Sequence, residues 1–141
     1  RWTKLWAAKN LSLGVPVPLV GDFVRLTRVH NTGGAFGIFP QGQALFLAVS
    51  AVVAVSLFLV LVFARDLHRL LRFGLTLVLA GAIGNLIDRA ASGYVLDYFE
   101  IRGFFVFNVA DACISVGAAL LVVYALWGGG RHRPCGQADR V

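Results

Sequence analysis

Residues 44–64 read ALFLAVSAVVAVSLFLVLVFA and contain no charged side chain. Ser50 and Ser56 are the only polar residues in this stretch. An α-helix of about 20 apolar residues is long enough to cross the hydrocarbon core of a bilayer. The stretch therefore predicts a transmembrane helix and places the chain among integral membrane proteins.

The composition of the whole chain supports this class. Hydrophobic residues make up 58% of the sequence and charged residues 14%, whereas soluble domains average about 45–50% and about 25%. The net charge of +6 is attributed to basic residues that lie at the lipid headgroups and set the orientation of the protein in the membrane. Nucleic acid is not an expected partner, because no basic run with interleaved aromatic residues occurs.

Two more spans are predicted, at residues 70–87 and 112–130, where only Arg72 carries a charge. Residues 1–12 are interpreted as the remnant of another helix. Because the chain contains no methionine, we expect that helix to begin before Arg1. The predicted fold is a membrane all-α bundle of about four transmembrane helices with the first one truncated, forming a single domain over residues 1–141.

Arginine residues indicate the orientation of the bundle. The connector 65–72 holds three arginines and the tail 131–141 holds three more, so both are predicted to be cytoplasmic. Residues 13–43 and the connector after residue 87 are then extracytoplasmic. Strand-forming residues at 23–29 and a hairpin pattern over 95–107 predict a small sheet on that side.

Polar residues interrupt the apolar background in four stretches, all on the predicted extracytoplasmic side. They read NTGGAFG (31–37), GNLIDR (84–89), VLDY (95–98) and FNVAD (107–111). Each stretch has a purely structural interpretation: a glycine turn, a helix end with an Asp88–Arg89 pair, a loop carboxylate at Asp97 and an N-cap at Asp111. Their convergence on one side of the membrane favours a functional site.

Asp97 and Asp111 are the candidate catalytic residues. The predicted hairpin returns Asp111 to the edge at which Asp97 lies, so we expect the two carboxyl groups to meet. In a poorly hydrated site two carboxyls hold one proton between them. The ionised member can take a proton from water while the protonated member polarises a carbonyl, as in aspartic proteases.

The sequence does not contain the residue patterns that other catalytic mechanisms or nucleotide binding require. No cysteine and histidine pair is spaced for nucleophilic catalysis, and no nucleotide-binding glycine motif occurs. His30 is interpreted as structural, and Cys113 and Cys135 as free thiols. We therefore expect no metal and no organic cofactor. A small transporter that relays protons or a cation through the two aspartates is the alternative function, and a non-catalytic membrane scaffold is a third.

The ordered motifs NTGGAFG, GAIGNLIDR, VLDYFEI and FNVADACISVG closely resemble those of the bacterial lipoprotein signal peptidases, or signal peptidase II, over nearly the whole chain. The resemblance implies four membrane helices with a small extracytoplasmic β-cradle, and it matches Asp97 and Asp111 to the catalytic aspartates. Other residues match positions that shape the site or contact substrate: Asn31, Gly33, Asn85, Asp88, Arg89 and Asn108.

The resemblance also implies the substrate, a prolipoprotein whose cysteine carries diacylglycerol and which is cut just before that cysteine. It implies the bacterial cytoplasmic membrane as location, membrane lipids as partners and globomycin-type peptides as inhibitors. Two departures from the family pattern occur. Thr3 and Lys4 fit the end of a D-Q-x-T-K pattern whose aspartate would precede Arg1, and Gly33-Gly34-Ala35 stands where Gly-Ala-Ala is more usual.

Overall fold

The computed structural model describes residues 1–32 and 43–127. Within these residues the chain forms four helices and one four-stranded sheet, which agrees with the predicted helical bundle and small sheet. Gly33 and the predicted tail 131–141 lie outside the described residues. The elements in chain order are α1 (Trp2–Asn10), β1 (Val17–Val20), β2 (Val24–Asn31), α2 (Gln43–Phe63), α3 (Arg69–Ser92), β3 (Val95–Ile101), β4 (Phe105–Phe107) and α4 (Val109–Trp127).

Three of these helices are long and apolar enough to cross a membrane, so the chain is a multi-pass membrane protein. The candidate spans are Ala44–Phe63, Arg69–Ser92 and Val109–Trp127, with mean hydropathies of 3.0, 1.8 and 2.1. Helix α1 has nine residues, about 14 Å at 1.5 Å per residue, which is less than a bilayer crossing.

Helix α3 continues to Ser92, five residues beyond the end that hydropathy predicts at Ile87. Asp88 and Arg89 therefore lie within its last turns and not in the following connector. Gly93 then ends the helix in the left-handed conformation, with φ of 78°. A charged residue is compatible with a helix end near hydrocarbon when it has a partner, and the partners of Asp88 are described below.

Small residues bring α3 and α4 close together. A Cβ atom on Gly117 would lie 2.7 Å from the carbonyl oxygen of Gly74 and 3.0 Å from the amide nitrogen of Val78. Both of these atoms belong to the backbone of α3 and cannot move aside. Close approach through small residues is a common way for membrane helices to pack, and here it fixes α4 against α3.

This packing predicts the effect of a single methyl group. Gly117→Ala is expected to lower the free energy of unfolding by about 1–3 kcal/mol, because overpacking forces the backbones apart. Gly84→Ala is the matched control, since its new Cβ would meet only Ala110 Cβ, at 3.3 Å, and no backbone atom of α4. Thermal melting of both variants in detergent measures the difference. Equal melting temperatures would contradict the close approach.

The sheet is antiparallel with the order β1-β2-β3-β4. Strand β3 pairs with β2 so that Asp97 lies opposite Val29 and Val95 opposite Asn31. Successive residues of a strand point to opposite faces. Tyr98 therefore packs on one face, in a core with residues of α1, while Asp97 is presented on the other. The core consists of Ala7, Leu11, Leu26, Leu96 and Tyr98.

Candidate active site

Asp97 and Asp111 line the same cavity of about 560 Å³, which lies between the sheet and the ends of α3 and α4. Asp97 comes from β3 and is 3% exposed. Asp111 is the third residue of α4. The structure thus brings together the two carboxyl groups that the hairpin pattern predicted to meet. The other lining residues are Asn31, Asn85, Arg89, Val95, Phe105, Val106, Phe107, Ala112, Ile114, Ser115 and Val116.

Asn108 joins the two carboxyl groups directly. Its side chain is fully buried, and Nδ2 donates to Oδ1 of Asp97 at 2.6 Å. Its backbone N–H donates to Oδ2 of Asp111 at 3.0 Å. One residue therefore holds both aspartates, which keeps the two acids at a set separation.

Asn108 is also the N-cap of α4, a role that the sequence alone suggested for Asp111. Asn108 Oδ1 accepts from the backbone N–H groups of Ala110, at 2.7 Å, and Asp111, at 3.2 Å. Asp111 reaches back to the Asn108 N–H from the third helical position, so the pair forms a capping box. The helix starts earlier than predicted because Asn108 provides this cap.

Asn85 holds the other oxygen of Asp111. Its Nδ2 donates to Asp111 Oδ1 at 2.7 Å, and its Oδ1 accepts from Asn108 Nδ2 at 3.2 Å and from Lys4 Nζ at 2.6 Å. An ammonium group can only donate, so Lys4 determines which end of the Asn85 amide faces Asp111. The amide is consequently oriented as a donor to that carboxylate.

Lys4 is a site residue whose role the sequence did not reveal. It is 5% exposed, and its Nζ also contacts Asp88 Oδ2 at 2.6 Å. Arg1 contacts the second oxygen of Asp88 at 2.6 Å. A lysine in a predicted membrane helix indicates a charge that needs a partner. The sequence does not identify that partner, because Asp88 lies 84 residues away.

Asp88 ties α3 to β3, and its ion pairs differ from the prediction. Within the described part of the chain, Asp88 pairs with Arg1 and Lys4 and not with Arg89. Its Oδ2 also accepts from the backbone N–H of Leu96 at 3.1 Å, directly before Asp97. The Asp88 side chain therefore fixes the strand position from which Asp97 projects.

Arg89 lies at the cavity wall and interacts electrostatically with both Asp111 and Asp97. Its guanidinium carbon lies 5.8 Å from the centre of the Phe46 ring, and its Nη1 donates to Ser50 Oγ at 3.4 Å. A cation near an aromatic face is attracted to it. These contacts join α2 to α3 and place a positive charge beside the two carboxyl groups.

Asn31 is a second side-chain donor to Asp97 among the described residues. It lies at the end of β2, and its Nδ2 donates to Asp97 Oδ2 at 3.0 Å. His30 beside it stacks on Tyr94, with ring centroids 3.9 Å apart, and lies 3.2 Å from Arg28 Nη2. His30 therefore packs the end of this strand, and Gly33 of the same polar stretch lies outside the described residues.

Burial raises the pKa of the Asp97 carboxyl from its ordinary value of 3.8 to about 6. The negative charge of Asp111 acts in the same direction, while hydrogen bonds from Asn108 and Asn31 oppose the change. A low-dielectric site disfavours the ionised carboxylate, which is why burial has the largest effect. Asp97 can thus exchange a proton near neutral pH.

This raised pKa predicts a pH dependence of stability. Since the folded-state pKa of Asp97 exceeds the unfolded value, the stabilisation is complete below about pH 4 and is lost as the pH rises through about 6. A difference of about 2 units between the folded and unfolded pKa of Asp97 corresponds to about 3 kcal/mol in the free energy of unfolding. The melting temperature of the wild type should fall over this interval relative to that of Asp97→Asn. Parallel pH curves for the two proteins would contradict the assignment.

Three membrane-capable helices, a small sheet and two carboxyl groups in one cavity define a multi-pass membrane protein with a paired-carboxyl site. The family described as signal peptidase (SPase) II matches residues 1–127. The chain belongs to this family, and it is therefore a member of a peptidase family. The resemblance inferred from the four polar motifs is confirmed.

Sequence relatives share this family name. A lipoprotein signal peptidase of Halothermothrix orenii is 39% identical, over 88% of this chain and 84% of the relative. Those of Symbiobacterium thermophilum and Clostridium tetani are 40% and 36% identical, over 86% and 89% of this chain and 83% and 84% of the relatives.

Two solved structures have the same fold. One is a bacterial membrane enzyme determined by the in meso method at 2.3 Å resolution, with a TM-score of 0.84, 24% identity and coverage of 97% of this chain and 86% of that chain. Another bacterial membrane enzyme, at 1.9 Å, gives a TM-score of 0.79 and 26% identity, over 89% and 84% of the two chains. The first likeness concerns the fold alone.

Proposed function

We propose that this protein is an aspartic endopeptidase that removes the signal peptide from diacylglyceryl-modified prolipoproteins, cutting before the lipidated cysteine. The observation that carries the proposal is the Asn108 bridge, which holds Asp97 and Asp111 in one cavity. The names of the relatives support the substrate class. The aspartates supply the acid and the base that peptide hydrolysis requires.

In the proposed mechanism Asp111 is the base and Asp97 the acid. Asp111 accepts hydrogen bonds from Asn85 and Asn108, and the Arg89 guanidinium interacts with it electrostatically. It takes a proton from water, and the resulting hydroxide adds to the scissile carbonyl carbon. Asp97, whose pKa is about 6, donates its proton to the carbonyl oxygen.

Collapse of the tetrahedral intermediate completes the reaction. The carbon–nitrogen bond breaks, the proton held by Asp111 passes to the departing amine, and Asp97 recovers its proton from the hydroxyl group as the carbonyl forms again. Each aspartate ends in its starting state. Asn31, Asn85 and Asn108 keep the carboxyl oxygens in position, Asp88 anchors the strand, and Arg89 contacts the substrate backbone. Gly33 is assigned to the site by family resemblance.

The proposed location is the bacterial cytoplasmic membrane, with the site on the extracytoplasmic side. Arg65 in the connector between α2 and α3, together with Arg69 and Arg72 at the start of α3, favours the cytoplasm for this end of the bundle. The cavity lies at the other end, where α3 ends and α4 begins. The proposed bundle has about four membrane helices, α1 to α4, and the sheet forms its cradle. Membrane lipids surround the bundle, and globomycin-type peptides occupy the same cavity as substrate.

A cleavage assay in vesicles tests the proposal. The purified protein is given one prolipoprotein in two forms, with and without diacylglycerol on its cysteine. We expect cleavage of the modified form, and mass spectrometry should show the lipidated cysteine at the new N-terminus. Absence of cleavage together with proton or cation flux through the vesicles would replace the peptidase with the transporter alternative.

A further inference from the structure

Ser115 is a polar residue on an otherwise apolar part of the cavity wall. It lies four residues after Asp111 on α4 and lines the same cavity. Residues four apart share one face of a helix, about 6 Å apart along its axis. Ser115 is therefore one turn further into the predicted span than the carboxyl pair. Its neighbours on the wall are Ala112, Ile114 and Val116.

The hydroxyl of Ser115 has no hydrogen-bond partner among residues 1–32 and 43–127. A hydroxyl in a membrane helix ordinarily bonds the carbonyl one turn earlier. Thr76 does so on α3, donating to the Arg72 carbonyl at 2.8 Å, and Ser50 accepts from Arg89. Ser115 is thus a hydrogen-bond donor that lines the cavity and is not used by the part of the chain that the structure describes.

We propose that Ser115 donates a hydrogen bond to an ester carbonyl of the diacylglyceryl group on the substrate cysteine. This inference rests on the proposed function. The lipidated cysteine directly follows the scissile bond, and a short thioether-linked glyceryl unit leads from it toward hydrocarbon. When the scissile bond lies at Asp97 and Asp111, the ester carbonyls reach the next turn of α4. An ester oxygen only accepts, and a hydroxyl can supply the donor.

The apolar wall beyond Ser115 fits the remaining part of such a group. Ile114 and Val116 flank it on α4, and Phe105 and Phe107 approach from β4. These side chains offer contacts to acyl chains but no hydrogen bonds. Ser115 is then a specificity-determining residue that distinguishes an ester-linked lipid from other apolar attachments.

Two synthetic substrates test this role. Both carry the same prolipoprotein peptide, one with a diacylglyceryl cysteine and the other with a dialkyl-ether glyceryl cysteine, which lacks the carbonyls. The wild type is expected to cleave the ester form with a kcat/KM about 3- to 10-fold higher than that for the ether form. This ratio corresponds to the free energy of one ordinary hydrogen bond. Ser115→Ala should lose this preference, and Ser115→Thr, which keeps a hydroxyl, should retain it.

Ser56→Ala is the matched control, because Ser56 is an exposed serine on the predicted span α2 and does not line the cavity. It should keep the wild-type preference. Equal cleavage of both substrates by the wild type, an unchanged preference in Ser115→Ala, or an equal loss on both substrates in that variant would overturn the assignment of Ser115 while leaving the peptidase in place. A wild type that cleaves neither substrate would overturn the proposed function as well.

Discussion

Replacing Asp97 or Asp111 by asparagine is expected to reduce cleavage of a lipid-modified prolipoprotein by roughly 10²- to 10⁴-fold, the range that general acid–base groups contribute. Asparagine keeps the shape of the side chain but can neither hold nor accept the transferred proton. Either single variant should lose most of the activity, because the reaction needs both members of the pair. The measurement is the rate of product formation in vesicles at equal amounts of folded protein.

Asp66→Asn is the matched control for these variants. Asp66 is exposed in the connector between α2 and α3 and does not line the cavity, so its replacement should leave the rate unchanged. Melting temperatures show whether Asp97→Asn and Asp111→Asn remain folded, since each removed oxygen is also a hydrogen-bond acceptor. Folded variants that cleave at the wild-type rate would refute the proposed dyad.

Lys4→Met is expected to lower the free energy of unfolding by about 3 kcal/mol, because removing one partner of a buried ion pair leaves an incompletely compensated charge. Among residues 1–32 and 43–127, Asp88 would retain one ion-pair partner, Arg1, whose side chain is 41% exposed. Asn85 would at the same time lose the donor that orients its amide toward Asp111. We therefore expect kcat for cleavage to fall more than KM changes.

Lys9→Met provides the comparison within the same helix. Lys9 is exposed at the last turn of α1, so this variant loses a charge of the same sign without breaking a buried contact. Thermal melting and cleavage kinetics of the two variants should differ clearly. If Lys4→Met melts at the same temperature as Lys9→Met, the buried network does not contribute to stability in the way described.

The membrane class and the approximate spans follow from local composition. The uncharged run at 44–64 needs no tertiary contact to be read as a span, because transfer of apolar side chains from water to hydrocarbon is favourable wherever they occur. The end of α3 does not follow from local composition. Hydropathy falls at Asp88, yet the helix continues to Ser92, since a distant lysine compensates the charge of Asp88.

The residues of the site were recognisable as interruptions of an apolar background, and family resemblance added their roles. Their bonding pattern was not predictable in the same way. The sequence predicts a helix cap at Asp111, whereas Asn108 provides the cap and also bridges the aspartates. An asparagine can donate and accept in several directions, so its partners depend on which chain segments fold against it.

Hydrophobicity along the chain was sufficient to establish a membrane protein with a polar site on one side, because the solvent acts on each segment separately. The arrangement of Lys4, Asn85, Asn108 and the two aspartates was established only when α1, α3, β3 and α4 packed together. Lys4 and Asn85 are 81 residues apart, and hydrogen bonds of about 3 Å require a geometry that no local pattern specifies.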